Sequence, residues 1–216
     1  MNLDKLFKKM KPISNAEAKK RDEQARLRDF SMACNDARIH HEFIAKSLSD
    51  FNFTRNTCNR KQYVYIENYI KNLKRGDKGL FITGDIGVGK THLATVLFKS
   101  VLWKFSWSGR WVLQADLLDS LRYMRTTGQY ETLFRDCMNA HVLMIDDFGY
   151  GDFNDYLREQ MFRLINHRLG GAMTILTTNC NGEELSRNLG DRIMDRVSEI
   201  CIGVELKGDS YRGSKP

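Results

Sequence analysis

No apolar run in the 216 residues approaches membrane-spanning length, and the lysine-rich opening from Met1 to Lys11 lacks the continuous apolar segment of a signal peptide. A soluble, cytoplasmic protein with no membrane partner is expected. Five cysteines, Cys34, Cys58, Cys137, Cys180 and Cys201, are odd in number and form no Cys-x-x-Cys pair. Neither a disulfide framework nor a zinc cluster is indicated, and they read as small buried apolar residues. Internal repeats and low-complexity tracts are absent too. What is present is enough apolar residue, 42%, for the core of one ordinary domain plus an appendage, which excludes a disordered chain. The formal charge of +7 makes a polyanionic partner plausible without identifying one.

The most specific stretch is Gly84-Asp85-Ile86-Gly87-Val88-Gly89-Lys90-Thr91, which fits the phosphate-loop pattern Gly-x-x-x-x-Gly-Lys-Ser/Thr. Leu80-Phe81-Ile82 before it reads as a buried strand. His92 to Phe105 after it reads as a helix, with Leu93, Val96, Leu97 and Val101 near helical spacing. A glycine-rich turn there can aim backbone N–H groups at an anion while the helix adds its positive end. Gly84 through His92 are therefore the expected nucleotide-binding residues, with Lys90 on the terminal phosphates and the Thr91 hydroxyl on Mg²⁺; ATP and Mg²⁺ are the expected cofactors.

Before that loop the chain reads as mostly helical. Leu3, Leu6, Phe7 and Met10 make one apolar stripe that Pro12 ends, and Ser14 with Glu17 forms a capping box opening a second helix through Ala25, Leu27, Phe30, Ala33 and Ala37. Residues 1–47 are thus a small helical appendage, either a hairpin packed on the main domain or a docking module for another protein; residues 48–216 form the main domain. Ile39 to Thr54 reads as a linker whose His40 and His41 are solvated, and a helix resumes from Tyr63 to Leu73.

Beyond the loop, strands alternate with helices. Strands are expected at Arg110–Gln114, His141–Asp147, Met173–Asn179 and Ile200–Leu206, with helices at Ala115–Arg125, Gln129–Asn139, Tyr156–Arg168 and Leu189–Val197. Five such strands imply an α/β fold: a five-stranded parallel sheet covered by helices on both faces, with reactive groups at the carboxyl ends of the strands. Asp146 then ends a buried strand beside the phosphate loop, suited to hold Mg²⁺, and Asp147 is placed to act as general base. Asn179 ends the next strand and can orient a water or touch the γ-phosphate. Arg192 and Arg196 share one helix face, and either is a salt-bridging residue or an arginine finger reaching a neighbouring subunit. Arg212, after the last strand, is a candidate phosphate contact. Trp103, Trp107 and Trp111 read as core aromatics rather than a stacking platform.

Together with Ile145-Asp146-Asp147-Phe148-Gly149, Thr177-Thr178-Asn179, Leu189 through Arg196 and Asp209-Ser210-Tyr211-Arg212, these motifs resemble the AAA+ ATPases, and among them the DnaC-type loaders of the replicative helicase. The resemblance runs from about residue 48 to the end. It implies the AAA+ three-layer sandwich, with Arg196 as a finger acting in trans, Arg212 as sensor 2 and Asn179 as sensor 1. It also implies an ATP-dependent homo-oligomeric spiral, N-terminal helices that grip the helicase, and single-stranded DNA running inside the spiral. Met124, Arg125, Asn154 and Tyr156 would then touch DNA, or are ordinary surface residues. Asp147 stands where many AAA+ ATPases carry glutamate, which implies weak hydrolysis, and the helical lid is expected to be reduced or absent. A transposition helper of the IstB type resembles the same motifs and is the alternative; a nucleotide-dependent regulator that does not hydrolyse ATP is a further one.

Overall fold

The structure, a computed structural model, describes residues 15–51, 60–129, 131–208 and 210. The expected first helix with its Leu3, Leu6, Phe7 and Met10 stripe, together with Cys58 and Arg212, lies outside them. The order of elements is α1 (Asn15–Asp36), α2 (His41–Ile44), a 3₁₀ turn (Leu48–Asp50), α3 (Arg60–Asn72), β1 (Gly79–Gly84), α4 (Lys90–Phe105), β2 (Gly109–Leu113), α5 (Gln114–Thr127) and α6 (Thr132–Asn139). It continues with β3 (Val142–Asp146), α7 (Asp155–His167), β4 (Met173–Thr178), α8 (Gly182–Leu189), α9 (Asp191–Ile200) and β5 (Cys201–Leu206).

The five strands form one sheet in the order β2-β3-β4-β1-β5. All pairings are parallel, with Phe81 opposite Leu176, Gly79 opposite Cys201 and Val142 opposite Met173. The period-2 alternation of strand side chains sends alternate residues to two cores. Leu80, Ile82, Val142, Met144, Met173, Ile175 and Val204 join α4 and the N-terminal helices on one face. Leu143, Ile145 and Leu176 join α5 through α9 on the other. The expected α/β three-layer architecture is therefore present.

Two local readings change. After β4, Asn181 caps α8: its Oδ1 accepts from Glu184 N at 2.9 Å while Glu184 Oε2 accepts from Asn181 N at 2.8 Å. Gly190, at φ 86°, then divides the expected helix Leu189–Val197, so α9 starts at Asp191. The tryptophans also diverge. Trp111 is core, whereas Trp103 is 37% exposed and takes the Arg26 guanidinium over its face at 4.7 Å with Phe30 edge-on at 5.3 Å.

Residues 39–51 are not a free linker. Cys34, Ala37, Ile39 and Phe51 are buried in the same core as β1 and α4, and Trp111 N donates to Ala37 O at 2.8 Å, so the chain extends the β2 edge as it leaves α1. The earlier part of α1 stands in solvent, with Leu27 52% and Met32 63% exposed.

At the amino ends of the strands lies a cation the sequence reading passed over. Arg168, 1% exposed at the C-terminus of α7, donates Nε to Thr174 Oγ1 at 2.7 Å and Nη2 to Met173 O at 2.7 Å; Nη1 reaches Cys137 O and Ala140 O, both at 3.0 Å. Burial lowers its pKa to about 10, so it stays charged at neutral pH. It is balanced by carbonyl dipoles and ties α6, β3 and β4 together. Arg168→Met is expected to lower unfolding free energy by ~3 kcal/mol or more, because several buried carbonyls lose their donor at once; a urea titration checks this.

Candidate functional site

The phosphate loop sits between the C-terminus of β1 and the N-terminus of α4. Gly89, at φ 96°, caps α4, and a Cβ there would lie 2.5 Å from the Phe51 ring, so both conformation and space require glycine. Gly87, at φ 84°, is similarly crowded by the Ser210 side chain, which brings the chain after β5 onto the loop. Lys90 begins α4 and is nearly buried. Its Nζ donates to Gly84 O at 2.8 Å and Asp85 O at 2.7 Å, and also to Asn179 Oδ1.

Two further strands deliver their ends to the same place, because β4 lies between β3 and β1. Asp146, the last residue of β3, is 5% exposed, and the Thr91 hydroxyl donates to its Oδ1 at 2.9 Å. The Thr177 hydroxyl donates to the same oxygen and accepts from Asp147 N at 3.1 Å. Burial pushes the Asp146 carboxyl above its ordinary range, opposed by the Thr177 hydrogen bond, with the Asp147 charge adding to the rise. Asp147 holds left-handed backbone at φ 57°, and Phe148 N donates to Thr177 O at 2.7 Å, which pins the turn. Asn179 Nδ2 donates to Asp147 Oδ1 at 2.7 Å. One amide thus bridges the loop lysine and the second carboxylate. Thr177 is the site residue that sequence reasoning missed as an organiser; its signal was the pair of hydroxyls, Thr177-Thr178, that ends β4.

The remaining wall comes from residues expected to be a linker. Phe43, Lys46, Asp50 and Phe51 line a cavity of about 320 Å³ together with Ile86, the loop, His92, Asp146, Asp147 and Asn179. His92 Nε2 donates to Ser47 O at 2.7 Å, and its ring meets Phe51 edge-on at 5.8 Å. Burial lowers the His92 pKa, with the Ser47 hydrogen bond opposing. The cavity therefore combines phosphate-binding groups with aromatic and aliphatic ones. The size suits a mononucleotide. A hydroxyl and a buried carboxylate also offer the hard oxygen donors that Mg²⁺ takes, so the residues present fit both groups.

Other expected site residues lie apart. Arg196 is on α9 with its side chain 38% exposed, paired to Glu199 at 2.7 Å, and does not line the cavity. Arg192, four residues earlier, instead covers the Phe162 ring at 3.7 Å within the domain. Asn154 caps α7 by accepting from Leu157 N at 3.0 Å. Arg125 lies over the Tyr156 ring at 5.3 Å, and Met124 and Tyr156 pack partly on the second core. The structure thus brings Arg125 and Tyr156 together and gives each of these four an intramolecular role. Among the described residues no group of His, Cys, Asp or Glu has the arrangement of a metal cluster, and no helix is long and apolar enough to cross a membrane.

A family model for IstB-like ATP binding protein matches residues 9–215. The ATP-binding protein of insertion sequence IS232 from Bacillus thuringiensis subsp. berliner is 29% identical over 172 residues, 77% of this chain and 68% of that protein. The replicative helicase loader DnaC of Escherichia coli (strain K12) is 28% identical over 155 residues, 68% of this chain and 60% of that protein. A crystal structure of the DnaC helicase loader superposes with a TM-score of 0.66 at 25% identity, over 77% of this chain and 99% of that one. AMPPCP-bound DnaA from Aquifex aeolicus shares the AAA+ fold at a TM-score of 0.62 and 21% identity, over 76% of this chain and 50% of that one.

Lys90→Ala is expected to abolish ATP binding, since the buried ammonium is the charge facing the phosphates and its loss also frees Asn179. Equilibrium titration with ATP and Mg²⁺ checks this; tight binding by the variant would overturn the assignment of the site.

Proposed function

We propose, for a chain that belongs to the IstB-like ATP binding protein family, a role as an ATP-switched loader that binds the replicative helicase and places it on single-stranded DNA. The observation that carries this reading is the Lys90–Asn179–Asp147 hydrogen-bonded bridge, which links the phosphate loop to the second carboxylate. Such a bridge lets a bound γ-phosphate alter both the lysine and the residue that would orient the attacking water.

The steps assigned to this chain's own residues are few. Loop N–H groups and Lys90 bind the triphosphate, and Thr91 and Asp146 hold Mg²⁺, which neutralises phosphate charge when bound. Asp147 accepts the proton of the attacking water while Asn179 orients it. The Asp147 backbone at φ 57° and its short carboxylate, already engaged by Asn179, favour slow turnover, so assembly rather than rapid hydrolysis is the output. Arg196, exposed and outside its own cavity, would complete a neighbour's site as a finger in an ATP-dependent homo-oligomeric spiral, and Arg212 would contact phosphate within its own subunit. Arg125 and Tyr156, with Met124 and Asn154 beside them, offer a cation and an aromatic face to single-stranded DNA.

For the helicase, the solvent-exposed part of α1 supplies the docking surface, with Leu27 and Met32 as its apolar contacts. A second reading is kept for a specific reason: identity to the IS232 protein, 29%, is no lower than identity to DnaC, 28%. It is a transposition helper ATPase with the same nucleotide chemistry.

Co-purification with the replicative helicase in the presence of ATP tests the loader, and capture of a transposase instead would transfer the reading to the helper. Deleting the first 47 residues would also strip Cys34, Ala37 and Ile39 from the core, so the docking test uses surface changes. Leu27→Asp with Met32→Asp is expected to abolish helicase capture while ATP binding stays within about twofold, because such surface changes rarely perturb stability by more than ~0.5 kcal/mol. Arg196→Ala is expected to retain the ATP affinity of the isolated chain but to lower assembly-stimulated hydrolysis by about 10³-fold, measured as phosphate release at rising protein concentration.

A further inference from the structure

The cavity wall from Phe43 to Phe51 is held against the phosphate-loop helix by side chains whose partners are backbone carbonyls. Lys99, in the middle of α4, donates its Nζ to Ile44 O at 2.9 Å, Phe43 O at 3.1 Å and Lys46 O. His92 donates to Ser47 O at 2.7 Å. The two side chains are seven residues apart, two turns of α4, so they leave the helix on one side and clip adjacent points of the same strap.

The strap needs such a clip. Helix α2 is a single turn of four residues, too short to satisfy its own C-terminal carbonyls, and the following turn is closed by the Ser47–Asp50 capping box and by two long backbone hydrogen bonds, Asp50 N to Ser47 O at 3.3 Å and Phe51 N to Leu48 O at 3.2 Å. An ammonium with three donors can take all three carbonyls at once. The strap in turn presents Phe43, Lys46, Asp50 and Phe51 to the cavity, with the Phe51 ring lying against Gly89 of the loop. Phe43 and Phe51 give the cavity an aromatic surface, which suits the base of a nucleotide rather than its phosphates.

We infer that Lys99 is a positioning residue for base recognition: it fixes the strap whose aromatic wall the purine rests on, and through it sets the preference for a nucleoside triphosphate over bare triphosphate. The inference rests on the ATP-binding reading and goes beyond it by separating base affinity from phosphate affinity. Lys99 touches neither part of the nucleotide. Its effect runs through the backbone of residues 43–46, so loss of the ammonium loosens the wall and leaves the loop intact.

Full-length wild type, Lys99→Met and Lys99→Arg are titrated with ATP and, separately, with inorganic tripolyphosphate, each with Mg²⁺. Methionine keeps the apolar stem and removes only the donors; arginine restores donors. Lys99→Met is expected to weaken ATP binding about tenfold, the loss of one charge-assisted anchoring contact, and to leave tripolyphosphate binding within about twofold, with Lys99→Arg recovering most of the difference. Ser47→Ala, which breaks the capping box and so opens the strap through a different contact, is expected to give the same base-selective loss. Equal weakening of both ligands by Lys99→Met would overturn the inference and make the clip a general support of the fold, as would unchanged ATP binding. Wild type that binds neither ligand would instead overturn the ATP-binding reading itself. Should Lys99→Met lower the thermal midpoint enough to unfold the chain at the assay temperature, the Ser47→Ala pair of titrations decides, with the same two outcomes.

Discussion

Two hydroxyls, from Thr91 on the phosphate-loop helix and Thr177 on β4, converge on one oxygen of the buried Asp146 carboxylate, and the geometry of the site follows from that convergence. A carboxylate buried to 5% exposure is costly unless hydrogen-bonded, so the sheet must bring its donors within reach. The order β2-β3-β4-β1-β5 does so by inserting β4 between the strand carrying Asp146 and the strand feeding the loop. Thr177 then serves both neighbours, donating to Asp146 and accepting from the Asp147 amide. The second carboxylate is thereby turned out of the strand line, into a left-handed backbone, and toward Asn179. Strand order, the Thr177 hydroxyl and a strained aspartate are one arrangement.

Much of this was legible in the chain itself because it is carried by short-range pattern. The loop glycines, the apolar run ending in Asp146-Asp147 and the polar end of the strand at Thr178-Asn179 announce themselves within a few residues, and the alternation of strands with helices dictates a parallel sheet. Boundaries moved where local chemistry was ambiguous. The expected helix Leu189–Val197 ran through Gly190, whose φ of 86° instead separates α8 from α9, and Asn181 with Glu184 three residues on is the capping-box pattern that opens α8.

What the sequence concealed depends on partners far along the chain. Phe51 sits in a stretch of weak periodicity, and only the fold shows that its ring fills the space a Gly89 side chain would need. The carbonyls of residues 43–46 find their donor at Lys99, more than fifty residues later. Arg168 gathers carbonyls from two separate segments, residues 137–140 and Met173, an arrangement no short window of sequence contains. Long-range satisfaction of backbone polar groups is required in any buried region, but its donors carry no spacing rule.

These cations also bear on the surplus of positive charge. A formal charge of +7 invites the reading of a polyanion-binding surface. Yet Lys90, Lys99 and Arg168 each hold backbone carbonyls, and Lys104 donates to Lys71 O at 3.2 Å. Arg26 and Arg192 lie over aromatic rings while remaining exposed. Carbonyl dipoles and ring faces stabilise a cation without cancelling its charge in a count of residues, so a fold that uses them carries a net positive formal charge for internal reasons. The charge left to meet a polyanion is smaller than the composition suggests, and an argument for nucleic acid must rest on placed pairs such as Arg125 and Tyr156 rather than on the sum.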